Sequence, residues 1–303
     1  MSGFIGALPG AVAQGIIYGI MAIGVYITFR VLDVADLTVD GSMGTGGAML
    51  VLCMTHGVPV YFSMILAFLA GCVAGWATGV FHTRFGIPAI LAGILTQLSL
   101  YSVNLRILGG KANQPISARN YNIWFSLGNV PKTLILGGIF VVAIIAVLYW
   151  FFGTEIGFGI RATGNNEAMS RANGINTNKN KVIGLILSNG IVALSGAMLS
   201  QFQGYADVNM GRGAIVIGLA AVIIGEVIFG KIFKNFALKL LAVAIGGVIY
   251  YVVITLVLRL GVNPNDLKLF IALVVALFLG VQFWKGKLAS KTVKNKKEVN
   301  ADA

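Results

Sequence analysis

Residues 4–29 read FIGALPGAVAQGIIYGIMAIGVYITF, with no charged side chain, and run into Arg30 and then LDVADLTVDGS at 32–42. The apolar run exceeds the roughly 20 residues a helix needs to cross a bilayer. It is too long for the hydrophobic part of a signal peptide and lacks a basic leader and a convincing cleavage site, so it is expected to remain as a true span. The segment after it is of another kind. Asp33, Asp36 and Asp40 interrupt the apolar pattern before a glycine-rich stretch begins at Gly41.

The rest of the chain repeats the first pattern. Further apolar stretches lie at 41–54, 59–80, 86–108, 133–152, 182–200, 213–230 and 236–258, with a ninth at 265–284. Over 303 residues, 57% are hydrophobic and 11% charged, and the mean hydropathy is +0.89. A soluble domain carries about 25% charged residues, so most of this surface is expected to avoid water. The forty glycines fit close helix packing in lipid. Cys53 and Cys72 sit inside apolar stretches and read as packed thiols. The expected fold is an all-α, polytopic transmembrane bundle of about 8–9 hydrophobic stretches, with discontinuous helices and an inverted repeat. One permease-like membrane domain is expected over 1–284, with an inner loop at 153–181, and a basic tail over 285–303. The stretch 41–54 is short for a full crossing and could be a broken helix.

Lysine and arginine set the orientation, because they collect on the cytoplasmic side. With the N-terminus outside and nine crossings, 15 of the 22 fall inside, including the tail. The C-terminus is therefore expected in the cytoplasm. The formal net charge of +12 then belongs to a membrane surface facing anionic lipid. No soluble domain is present to bind nucleic acid. On this topology the segments around Ala35-Asp36…Gly41 and Ala206-Asp207…Gly211 fall on opposite sides, as in an inverted repeat.

Interruptions are where chemistry can sit. In the first, Asp40 or Ser42 would make an ordinary N-cap; alternatively Asp36, Thr38, Asp40 and Ser42 line a path through the membrane, where a carboxylate is costly. Gln97 and Asn104 are candidates for the same path, although helix-to-helix hydrogen bonding is the commoner use of such residues. Glu226, near the inner end of its stretch, is another candidate for the path, although snorkelling, or pairing with Lys231 or Lys234, would satisfy it without a transport role. The longest polar loop lies at 153–181. There Asn166 is expected to cap a short helix from Glu167 to about Asn173, ended by Gly174, and such a helix could dock into a groove of another protein. No phosphate-binding loop occurs, since Lys132-Thr133 and Lys291-Thr292 lack the preceding glycine. His56 and His82 form no metal or acid–base constellation, so neither an enzyme nor a metal site is expected.

The pattern Gly157-x-x-x-Arg161-Ala162-x-Gly164-x-Asn166-x-x-Ala-x-x-x-Gly-Ile resembles the cytoplasmic coupling loop of permeases of the ribose and branched-chain amino-acid ABC importers. Leu194-Ser195-Gly196-Ala197, Gly211-x-Gly213, Ala220-Ala221-Val222-Ile223-Ile224-Gly225 and Asp36-Leu37-Thr38-Val39-Asp40-Gly41-Ser42 extend the resemblance over about residues 10–285. The last of these and Gly225-Glu226 are most similar to a branch of tryptophan and tyrosine importers; sugar permeases tend to carry glycine where Glu226 stands.

The resemblance implies a mechanism. A homodimer of permeases forms the pathway in a bacterial cytoplasmic membrane, an extracytoplasmic substrate-binding protein delivers the substrate, and separate cytoplasmic ABC ATPases supply the drive. It puts Arg161, Gly164, Asn166, Glu167, Ala168, Arg171 and Gly174 in the coupling loop. ATP and Mg would be bound by the partner ATPase, and no cofactor by this chain. The implied substrate is a small amino acid, aromatic preferred; a sugar, nucleoside or branched-chain amino acid is the alternative. The rival class is an ion- or proton-coupled secondary transporter, which would have no need of a docking helix at 157–175.

Overall fold

The computed structural model describes residues 2–116 and 121–259, with isolated positions between 269 and 280. By contacts the chain divides into Met1–Thr255 and Leu256–Ala303. The first unit holds the architecture described below. In the second, Leu256–Arg259 are helical, whereas the expected ninth stretch at 265–284 falls largely, and the basic tail at 285–303 entirely, outside the described residues.

Eight apolar helices answer the first eight expected stretches: α1 (Ser2–Tyr26), α2 (Thr38–Thr55), α3 (Val60–Thr83), α4 (Ala89–Ile107), α5 (Val130–Phe152), α8 (Thr177–Gln203), α9 (Ala214–Phe229) and α10 (Phe236–Arg259). Two polar helices, α6 (Glu155–Asn165) and α7 (Glu167–Ala172), fill the loop before α8. Among the described residues, six helices are long and apolar enough to cross a membrane, and α9 is a shorter apolar one. The chain is a polytopic helical membrane protein. Its two short strands, β1 (Asn113–Pro115) and β2 (Tyr205–Asp207), pair antiparallel.

Glycines set the helix pairs. A Cβ at Gly71, Gly75 or Gly79 of α3 would run into Asn189, Leu185 or Val182 of α8, so these two helices lie antiparallel at backbone contact. Gly15 and Gly19 of α1 meet Val248 and Ala244 of α10 in the same way. Ser188 donates to the Gly24 carbonyl and Ser195 to that of Ile17, which sets α1 antiparallel to α8. Gly218 packs on Val25 while Glu226 reaches Arg30, so α9 runs parallel to α1. The pair α1–α2 therefore starts in the direction opposite to the pair α8–α9.

The stretch expected at 41–54 is the innermost helix. It begins three residues earlier, at Thr38, and nearly all its side chains are buried. Gly41 faces Gln97 and Leu100 of α4, Gly46 the Ala193 carbonyl of α8, and Gly47 the Met210 side chain. Its low hydropathy has a physical reason: α2 meets other helices instead of lipid. The opposite case is α5, whose outward face carries Ile135, Ile139, Val142 and Trp150, all well exposed. A bilayer, or a second protein, is the natural cover for so apolar a face.

Candidate functional site

The first interruption is built by a change of helix type. Residues Ile27–Val31 form a π turn, with the Leu32 amide donating to the Ile27 carbonyl. Asp33 then adopts a left-handed φ of 55°, and the chain turns back into the bundle. Asp36, 2% exposed, accepts the Thr38 amide on Oδ1 at 2.9 Å and the Asn189 side-chain amide on Oδ2 at 2.7 Å. Asn189 lies about 18 Å along α8 from its start, so α2 begins inside the bundle. Asn189 in turn accepts from Ser42 at 2.6 Å, and Thr38, Thr78 and Thr96 form a hydroxyl chain with 2.7 and 2.9 Å links. Asp36, Thr38 and Ser42 thus belong to one buried internal network.

The capping expectation for Asp40 and Ser42 is corrected here. Leu37 occupies the N-cap position of α2, without a side-chain cap, and the Thr38 amide is taken by Asp36. Asp40 lies within the first turn and faces a different helix: Oδ2 accepts the Gly213 amide at 2.8 Å and Oδ1 the Ile215 amide at 2.9 Å. These are amides at the start of α9, whose own N-cap is Gly213 at φ 84°. One carboxylate therefore joins the N-termini of α2 and α9, and the positive ends of both helix dipoles favour its negative charge. Gly211 makes this approach feasible, because a Cβ there would overlap the Asp40 carbonyl.

Beside this junction lies a cavity of about 310 Å³ walled by Asp40, Gln97, Tyr101, Asn104, Asn209 and Arg212. Three expected path residues, Asp40, Gln97 and Asn104, thus come together. Tyr101, Asn209 and Arg212 escaped the sequence reading; the available signal was an arginine between two glycines in the second interruption, Gly211-Arg212-Gly213. Asn104 is 1% exposed and its Oδ1 has no partner, and Asn209 Oδ1 is likewise buried without one.

Glu226 does not join this group. Nor does it pair with Lys231 or Lys234, as expected: its oxygens accept from Arg30 Nε at 2.9 and 3.0 Å. The reason is the parallel run of α1 and α9, which brings Arg30, in the π turn after α1, beside the last turn of α9.

At the same end, the 153–181 loop holds the expected short helix after Asn166, preceded by a helix that was not expected, α6. The Asn166 side chain accepts the Met169 amide, α7 covers Glu167–Ala172, and Gly174 follows with φ 77°. Glu167 binds Arg171 at 2.6 Å and Lys181 at 2.8 Å, while Arg171 Nε donates to Thr177 at 2.8 Å. The Lys181 hydrogen bond, with the charges of Lys181 and Arg171, holds the Glu167 carboxyl below its ordinary pKa. Arg161 stacks over Phe236, 5.2 Å from the ring centre. Ala168 and Met169 face outward, Met169 being 63% exposed. Gly164 rests on the end of the π turn, where a Cβ would overlap the Val31 carbonyl and crowd Leu32. The loop is therefore in backbone contact with the interruption that carries Asp36.

Comparison with known proteins accounts for this arrangement. Over 93% of this chain and 95% of the other, the fold superposes with a TM-score of 0.52 and 17% identity on the structure titled "PsaBC from Streptococcus pneumoniae in complex with Fab". In sequence, the chain is 39% identical to a tyrosine transport system permease protein of Clostridioides difficile (strain R20291), covering 92% of this chain and 91% of that one. It is 27% identical to a ribose import permease protein of Escherichia coli (strain K12), covering 70% and 66% respectively. Residues 8–280 match the family described as branched-chain amino acid transport system / permease component, so the chain belongs to that family of ABC-type membrane permeases.

Proposed function

We propose that this chain is the membrane-spanning subunit of an ATP-driven importer of small amino acids, with aromatic ones preferred. The observation that carries the coupling is the inner loop. A short capped helix presents Ala168 and Met169 outward, is braced by Glu167, Arg171 and Lys181, and is joined through α6 to Gly164 on the π turn. A cytoplasmic ATPase gripping α7 would push α6 against Val31 and Leu32, and so shift the interruption from which α2 starts. In this reading Arg161, Gly164, Asn166, Glu167, Ala168, Arg171 and Gly174 pass the motion on, which is a rigid-body displacement without covalent chemistry. The path lies beside the α2–α9 junction, with Asp40, Gln97 and Asn104 on its wall; Asp36, Thr38 and Ser42 hold the interruption in shape; Glu226 fastens α9 to α1.

The choice of an amino acid is supported by the 39% likeness to the tyrosine permease protein, against 27% for the ribose one. An external binding protein would deliver the substrate, and a second copy of this chain would cover part of the exposed apolar surface, with lipid covering the rest. The membrane domain would extend over 1–284, and the lysine-rich segment 285–303 would lie on the cytoplasmic side, near anionic headgroups. ATP and Mg would be held by the partner.

The test is uptake into proteoliposomes that hold this chain, its ATPase and its binding protein. ATP-dependent accumulation of tyrosine or tryptophan is expected, and Glu167→Ala combined with Arg171→Ala should abolish it. Accumulation of ribose without either amino acid would overturn the substrate assignment, and uptake driven by a proton gradient without ATP would overturn the coupling.

A further inference from the structure

The cavity at the α2–α9 junction has an arrangement that coupling alone does not require. Its wall carries one carboxylate, Asp40, and one guanidinium, Arg212, which are not joined in an ion pair. Arg212 is exposed and forms no salt bridge with any described residue. Each Asp40 oxygen already accepts one backbone amide, yet an ionised carboxylate has about four acceptor sites, so two remain. Asn104 Oδ1 and Asn209 Oδ1 belong to two further residues of this wall and are buried, out of reach from the void, without partners.

An ammonium group offers three donors and no acceptor, and Asp40 is the charged acceptor that this wall offers it. A guanidinium is suited to gripping a carboxylate through two parallel hydrogen bonds. A volume of about 310 Å³ lies at the small end of ligand pockets, enough for one small molecule. Leu98, Tyr101 and Val208 add apolar wall for a side chain. We propose that this cavity is a binding site for an α-amino acid zwitterion, with Arg212 taking the carboxylate and Asp40 the ammonium. The proposal rests on the amino-acid importer reading and adds to it a site within the permease itself. Neutral sugars lack the two opposite charges that this wall would pair.

The test uses the permease–ATPase complex in lipid nanodiscs, without binding protein, and tritiated L-tyrosine as the probe. Displaceable binding is expected. Tyramine, which lacks the carboxylate, and p-hydroxyphenylpropionate, which lacks the ammonium, should each compete about tenfold or more less well than L-tyrosine, since each forfeits one charge-assisted contact. Arg212→Gln should weaken tyrosine binding by about the same factor, and Arg212→Lys should restore part of it. Because Arg212 is exposed, its replacement leaves packing untouched. Asp40→Asn should narrow the gap between L-tyrosine and its desamino analogue. Arg106→Gln, on the exposed last turn of α4 and outside the cavity, should bind as wild type does. If the complex pumps tyrosine with its binding protein but shows no displaceable binding, or if Arg212→Gln and Asp40→Asn both bind as wild type does, the proposal is wrong while the importer reading stands. If the wild-type complex pumps ribose and not tyrosine, the importer reading has failed instead.

Discussion

The two interruptions use one local device at two depths of commitment. Asp36 accepts the amide of Thr38, two residues on, and Asp207 accepts the amide of Asn209, again two residues on, at 2.9 and 2.7 Å. The helices before them, α1 and α8, run in opposite directions. Beyond that the two diverge. The first interruption is short, starts from a π turn, and hides Asp36 against Asn189; the second is longer, opens with Gly204 and closes with Gly213, both at positive φ, and has strand pairing to hold its first half. The same turn chemistry therefore makes a locked joint on one side and an adaptable loop on the other. Around the second, Val208, Asn209 and Arg212 are available to line a cavity.

The sharpest way to break this comparison is to remove both carboxylates separately. Asp36→Ala strands the Asn189 side-chain amide and the Thr38 amide in a dry interior, and is expected to cost about 3 kcal/mol, read as a lowered unfolding midpoint in detergent. Next comes Gly211→Ala. Its methyl would collide with the Asp40 carbonyl, and overpacking of that kind costs about 2 kcal/mol; cysteine accessibility at 212–213 should rise as α9 moves away from α2. Asp207→Ala removes a single turn hydrogen bond at a half-buried site, so about 1 kcal/mol is expected. Equal losses for Asp36→Ala and Asp207→Ala would end the distinction between locked and adaptable.

The smallest effect concerns the loop beneath the first interruption. Glu167 has its pKa held below the ordinary carboxylate value, first by the Lys181 hydrogen bond. A depressed folded pKa gives stability that is full above the unfolded value and is lost as pH falls through the folded one. Hydrogen exchange at 166–175 should therefore be flat from neutral pH down to the ordinary carboxylate range and quicken below it, once the intrinsic acid dependence is divided out. Glu167→Gln should show the quicker exchange already at neutral pH, by a small factor, because Arg171 is exposed and Glu167 partly so, and solvent screens their charges.

How much of this was legible follows from how far each signal reaches along the chain. Apolar runs are local, so eight helices were visible in outline, as was α7 between the Asn166 cap and Gly174. The start of α2 was missed by three residues because Thr38, Val39 and Asp40 look like loop when the reader does not know that the helix faces only protein. Partners far apart in sequence left no trace: Asp40 is satisfied by amides of Gly213 and Ile215, and any residue at those positions except proline would offer the same amide. Glu226 had nearby lysines to suggest a pair, and the fold chose Arg30 from the first helix instead. In the sequence Arg212 reads as one basic residue among many; only the fold-back of its loop places it on the same cavity wall as Asp40.

The strand pair β1–β2 ties the exit of α4 to the exit of α8, with Asn113 opposite Asp207, Gln114 opposite Ala206 and Pro115 opposite Tyr205, and with the Ile116 amide donating to the Gly204 carbonyl at 2.7 Å. Such a ladder is written in main-chain groups, so most side chains along it can be exchanged without loosening it. The face it forms is free to drift in sequence while the helices beneath stay fixed. A lineage could vary its side chains, one substitution at a time, without rebuilding the membrane core.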